Sequence, residues 1–171
     1  MILVTILTSV IAVIIFFQIK SGNTIYLTHQ IQIDAPPSAV WDVLNTIETV
    51  ADYNPQVNES HCITENKTGP GASRECTMID GSVVKERIVK IEPDQAITME
   101  LYESNWPVRD MKWRTAVEPK DGGTWVTQTL EYKMKFGAVG AILNSLFLKS
   151  KMDSSVQEVF ESMKAYVESK K

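Results

Sequence analysis

Cysteine and histidine are scarce, two of each in 171 residues. They are His29, His61, Cys62 and Cys76. His61 and Cys62 are neighbours on an alternating stretch, so they point to opposite faces and cannot readily share a tetrahedral ion. No Gly-x-Ser-x-Gly elbow, phosphate-cradling glycine loop or His-Glu-x-x-His pair occurs. No cofactor or metal is therefore expected, and no residue is singled out as a nucleophile. Basic charge is also short: 17 Lys and Arg face 21 Asp and Glu, for a net charge of −4. A nucleic-acid partner would need a basic stripe, so that class is excluded. Internal repeats and low-complexity tracts are absent. The length suits one domain with a substantial core and is too small for two. Nothing in the chain identifies a protein partner.

Charge is missing altogether from Met1 to Ile19, MILVTILTSVIAVIIFFQI. As a helix rising about 1.5 Å per residue, this run would just cross a hydrocarbon core of about 30 Å. A cleaved signal peptide would need a basic start and a small-x-small cleavage site, and neither is present. A buried core helix would show one apolar stripe, whereas here all faces are apolar. The expectation is a single-pass anchor over residues 1–19, placing the protein in the cell membrane. A short polar linker, 20–23, and one domain, 24–171, follow. Lys20 weakly favours a cytoplasmic domain by the positive-inside rule, a disulfide would favour the opposite, and the side stays open.

What is present is mostly alternation. Thr24–Ile33 reads as a first strand. Asp34-Ala35-Pro36-Pro37-Ser38 ends it and starts a helix, because proline suits a first helical turn. Val40, Trp41 and Leu44 continue at helical spacing. Glu48 to Tyr53 is a second short helical piece, stopped by Asn54-Pro55. Strands follow at Val57–Asn66, Ala72–Ile79, Ser82–Ile91, Ala96–Glu103, Arg109–Val117 and Thr124–Met134, antiparallel by their short connections. Ala138 to Lys171 has no proline and, after Gly140, no glycine. Val156, Val159, Phe160, Met163 and Val167 mark an amphipathic helix there. The apolar faces close only if a strongly curved sheet of about seven strands wraps that helix, an α+β architecture.

Ile33, Ala35, Pro36, Val40, Trp41, Leu44, Asn54 and Pro55 form a pattern that resembles the START-like superfamily, also called SRPBCC or polyketide cyclase/dehydrase-type. Tyr53 stands where that family usually has Trp. The resemblance spans Thr24 to the C-terminus and implies the helix-grip fold. It also implies a ligand class of lipids, polyketides, quinones or hormones.

A sheet gripping one helix leaves a gap between its concave face and the helix, the kind of concave apolar site where small molecules bind. Strand parity gives the lining. Gln128, Leu130 and Tyr132 share a face of the last strand, and Met111, Trp113 and Thr115 share one on the strand before it. Glu86, between Val84 and Ile88, joins them as a possible acid or base if that face is concave. Phe160 and Met163 close the gap from the helix. The plainer reading of Thr115 and Gln128 is that they bond within the protein. The methionines, similarly, are core fillers or an adaptable wall. Cys62 and Cys76 are equidistant from Gly69, the apparent centre of their hairpin, and are either a disulfide or two free thiols.

The expected function is a membrane-tethered domain that binds a hydrophobic small molecule or lipid. The alternative is a cyclase/dehydrase-type enzyme using Glu86, Thr115 and Gln128, where a shaped pocket supplies catalysis by proximity. A third possibility is a cavity filled by the protein's own side chains. The apolar cluster Ile142, Leu143, Leu146, Phe147 and Leu148, followed by Lys149 and Lys151, reads either as core packing or as a lipid-touching mouth.

Overall fold

The alternating stretches become seven strands: β1 (Ile25–Ile33), β2 (Val57–Cys62), β3 (Ser73–Met78), β4 (Val83–Glu92), β5 (Ala96–Glu103), β6 (Val108–Lys120) and β7 (Gly123–Met134). The structure, a computed structural model, describes residues 22–170. The expected anchor, Met1–Ile19, lies outside the described residues. Among those described, no helix is long and apolar enough to cross a membrane.

All pairings are antiparallel, in the order β1-β7-β6-β5-β4-β3-β2. β2 to β7 form a meander, and β1 returns to the free side of β7. Between β1 and β2 lie helix α1 (Pro37–Asn45), a 3-10 turn (Ile47–Thr49) and helix α2 (Val50–Tyr53). Pro37 occupies the first turn of α1, as its fixed φ allows. Val40, Trp41, Val43 and Leu44 are buried beneath α1.

The C-terminal stretch is three windings: helix α3 (Gly137–Leu143), a π-helix (Asn144–Leu148) and helix α4 (Lys149–Glu168). Phe136 adopts a left-handed conformation, φ 65°, and Gly137 follows at φ 52°. This sharp corner folds α3 back onto the end of β7. A Cβ on Gly140 would lie 1.9 Å from the Lys135 carbonyl oxygen, so only glycine permits that approach. Phe160, Met163 and Val167 of α4 are buried, whereas Val156 and Val159 are half-buried. The expectation that α4 buries all of its apolar stripe therefore holds only for its C-terminal half.

Several bonds hold α4 to the opposite side of the grip. Tyr166 donates to Asp52 at 2.8 Å and Lys164 donates to the Gln32 carbonyl at 2.7 Å. The Asp34 N–H donates to Glu168 at 2.7 Å. The Tyr53 and Tyr166 rings meet at 5.9 Å.

The β2–β3 connection separates the two cysteines, the second of the two alternatives left open by their spacing. β2 stops at Cys62, short of Asn66. The Thr64 hydroxyl accepts from the Ser73 N–H at 2.9 Å and donates to the Asn66 carbonyl at 2.9 Å, which takes the chain out of the ladder. Cys62 lies opposite Arg74, and Cys76 opposite Ser60. The hairpin is centred one residue before Gly69, and a shift of one at the turn displaces each partner by two. Both thiols are free.

The core divides into two clusters. One packs α1, α2, β3 and β4 against Phe160, Met163 and Val167. The other packs Leu27, Val108, Leu130, Tyr132 and Met134 against Leu148, Met152 and Val156. Leu101, Trp106 and Trp113 touch both. The space between the clusters is not filled.

Candidate functional site

That space is a cavity of about 450 Å³ between the concave face and α4, within the usual range for a small-molecule site. Met152, Val156, Val159, Phe160 and Met163 line it from the helix. Ile97, Met99, Met111, Trp113 and Leu130 line it from the sheet, and Leu44, Val50 and Tyr53 from α1 and α2. The partial exposure of Val156 and Val159 now has a cause, since they face the cavity rather than packed side chains. Ile79, Asp80 and Lys151 combine cavity lining with exposure and so mark its mouth, with half-buried Gln56 among the lining residues.

Of the side chains selected by strand parity, Glu86, Met111, Trp113, Thr115, Gln128 and Leu130 converge on this cavity, and Phe160 and Met163 meet them from the helix. Tyr132 does not. It faces inward and is fully buried, but its hydroxyl donates to Asn144 Oδ1 at 2.7 Å beneath the π-helix. Parity fixes a face of the sheet but not the position along it, and the cavity ends before Tyr132.

Two polar residues of the cavity wall are paired with each other. Gln128 Nε2 donates to Thr115 Oγ1 at 3.1 Å across the β6–β7 ladder. The plainer reading of these two residues thus holds, although both still line the cavity. One amide N–H and the carbonyl of Gln128 remain beyond this bond.

The main polar feature is Arg74 on β3, which the sequence reading did not select. Its Nε and Nη2 both contact Glu86 Oε2 at 2.6 Å, and Nη1 donates to the Ile47 carbonyl at 2.6 Å. The pair therefore ties β3 and β4 to the 3-10 turn. Burial pulls the guanidinium down, but Glu86, Tyr53 and Cys76 outweigh it and hold Arg74 above its ordinary value. Burial likewise pushes the Tyr53 hydroxyl up, against the charge of Arg74. Glu86 is thus inward-facing, as the favoured parity required, but it is not a solitary carboxylate free for proton transfer. The signal for Arg74 was present: it shares parity with Ala72, Cys76 and Met78, and a lone arginine on an apolar strand face needs a buried partner.

A second depression of about 720 Å³ crosses the outer side of the sheet. Its charged walls include Arg87 with Glu100, and Lys133 with Asp110, which neutralise each other. It offers no enclosed apolar volume. Among the described residues, no three His, Cys, Asp or Glu side chains are placed to hold a metal ion.

No curated protein matches the chain. Among solved structures, the major latex-like protein 151 of Panax ginseng superposes with a TM-score of 0.70 at 18% identity, covering 85% of this chain and 98% of that one. The protein XoxI of Bacillus cereus gives 0.66 at 16% identity, covering 83% and 94%. Ara h 8.0201 gives 0.63 at 17% identity, covering 86% and 99%. These likenesses establish the helix-grip fold. The family model described as "Polyketide cyclase / dehydrase and lipid transport" matches residues 24–168, and the chain belongs to that family, within the START-like superfamily.

Proposed function

We propose that this domain binds a hydrophobic small molecule or lipid whose body lies along α4 and whose one polar group meets the Arg74–Glu86–Tyr53 corner. The carrying observation is a cavity of about 450 Å³ left open between two packed clusters, with mostly apolar walls and the buried Arg74–Glu86 pair among them. An unfilled apolar cavity of that size costs stability through lost contacts. A ligand recovers those contacts, and a guanidinium already fixed by Glu86 and Ile47 gives up little freedom when it donates to a carbonyl, hydroxyl or phenol oxygen. The uncharged run Met1–Ile19 supports a second part of the reading, that the domain is tethered to a membrane as a single-pass protein.

The test is native mass spectrometry of the full chain in mild detergent, followed by solvent extraction. A co-purifying apolar compound should appear. Met163→Trp, which projects bulk into the cavity, should lose it while retaining the fold by circular dichroism. A preparation with no extractable ligand, and no uptake of an added fluorescent apolar probe, would overturn the binding reading.

A further inference from the structure

Helix α3 and the π-helix are inside out. Gly140, Ala141 and Asn144 face the protein and are buried. Val139, Leu143, Leu146 and Phe147, on the opposite stripe, are 61%, 44%, 63% and 68% exposed. Phe136, at the left-handed corner before them, is 69% exposed. A helix that only had to pack on β7 would turn its large apolar residues inward and its small ones out. Scattered exposed apolar residues are ordinary, but a contiguous stripe of them is not.

Two observations indicate what covers the stripe. The first is where the chain enters. Ile25 pairs with Tyr132, so Gly22–Thr24 run beside the end of β7 from which Phe136 and α3 depart. Thr24 and Lys135 line the same surface depression. Lys20–Asn23, at most about 3.6 Å per residue, thus joins the uncharged Met1–Ile19 run to the end of the domain that carries the stripe. The second is charge. Lys149 and Lys151, both exposed, come two and four positions after Phe147, the order in which apolar side chains enter a bilayer and lysines meet its headgroups. Asp80 and Asp153 lie near these lysines, with Asp153 3.0 Å from His29 Nε2.

We propose that Phe136, Val139, Leu143, Leu146 and Phe147 form a docking face that inserts into the interfacial zone of an anionic lipid bilayer, with the cavity mouth beside it. Leu148 and Lys151, which line the cavity, come directly after this face. The bilayer would then border the route into the site. This inference rests on the tethering half of the functional reading and does not depend on which ligand fills the cavity.

The experiment uses the full chain reconstituted into vesicles of phosphatidylcholine with a minority of phosphatidylserine. A polarity-sensitive fluorophore is attached at Phe147→Cys in a Cys62→Ser background, since Cys76 is buried. A control label goes on Asp121→Cys, in the β6–β7 turn at the far end of the sheet. The label at position 147 should shift to shorter wavelength and be quenched several-fold by lipids carrying a nitroxide high on the acyl chain, while the control stays water-like. Leu143→Glu with Leu146→Glu should return the label at 147 to water. A water-like label at 147, or failure of the chain to associate with vesicles, overturns the proposal. So does a blue shift without lipid quenching, which would mean that Met1–Ile19 or a second copy covers the stripe. Failure to associate with vesicles defeats the tethering reading as well, whereas a water-like label on an associated chain defeats this inference alone, so the two failures are distinguishable.

Discussion

Arg74 and Glu86 show how a single side chain couples stability to recognition. Their side chains are only 6% and 15% exposed. Arg74→Met leaves the Glu86 carboxylate and the Ile47 carbonyl without their partner, and should cost about 3 kcal/mol in chemical denaturation, the lower end for a broken buried pair because the cavity offers Glu86 partial solvation. The double variant Arg74→Met/Glu86→Leu should recover most of that loss, since apolar replacement of a buried pair is often neutral or better. It should nevertheless discriminate poorly between apolar probes with and without a hydrogen-bonding group. A double variant as selective as the parent would mean that the pair is only structural. The parity argument that selected Glu86 applied equally to Arg74. It did not identify Arg74 because pairing across β3 and β4 depends on register, and register is set by turns whose geometry is not local.

At the scale of the element, the π-helix is the least conventional winding among the described residues. Extra turns of this kind mark functional positions more often than plain helix does. Here the winding carries Asn144 to the Tyr132 hydroxyl while Leu146 and Phe147 remain outside. Asn144→Ala should cost about 1–3 kcal/mol by leaving that buried hydroxyl unpaired. Adding Tyr132→Phe should restore part of the loss. Burial also pushes the Tyr132 hydroxyl from an ordinary value of 10.0 up to about 12. The folded state therefore keeps a proton that the unfolded chain releases first, so the stabilisation is complete below pH 10 and fades as pH rises toward 12. Tyr53 acts with the same sign. A denaturation series in alkaline buffers should show the decline, and Tyr132→Phe should flatten it. An unchanged slope would place the alkaline sensitivity on Tyr53 and other groups.

The whole molecule is a grip that closes at one end and stays open at the other. Hydrogen bonds donated by Lys164 and Tyr166, and one that Glu168 accepts from the Asp34 N–H, secure the C-terminal half of α4 to β1, the residue after it and α2. The N-terminal half borders the cavity and its mouth. A ligand that binds only the folded state adds RT ln(1 + [L]/Kd), about 2.7 kcal/mol at a hundredfold excess over Kd. Protein stripped of ligand by organic extraction and refolded should thus melt several degrees lower than the native preparation, and an added apolar probe should restore the difference. Equal melting temperatures would show that the cavity contributes nothing to stability when filled.

The sequence by itself determined the order of elements and the inward faces of the strands. Those follow from local causes: alternation in an extended chain, prolines that start α1 and stop α2, and a long stretch without helix breakers. It also pointed to most of the cavity walls, because parity on β4, β6 and β7 is a short-range property. The tertiary structure alone decided the rest. Cys62 lies across from Arg74 rather than Cys76 because Thr64 withdraws the chain from the ladder. Tyr132 belongs to Asn144 because a left-handed corner at Phe136 and the bare Gly140 let α3 fold down onto β7. The same fold-back turns Leu143, Leu146 and Phe147 outward, where an apolar cluster in a linear sequence would ordinarily be assigned to the core. Each of these outcomes depends on how far apart two distant segments settle when packed, a distance that local pattern does not encode.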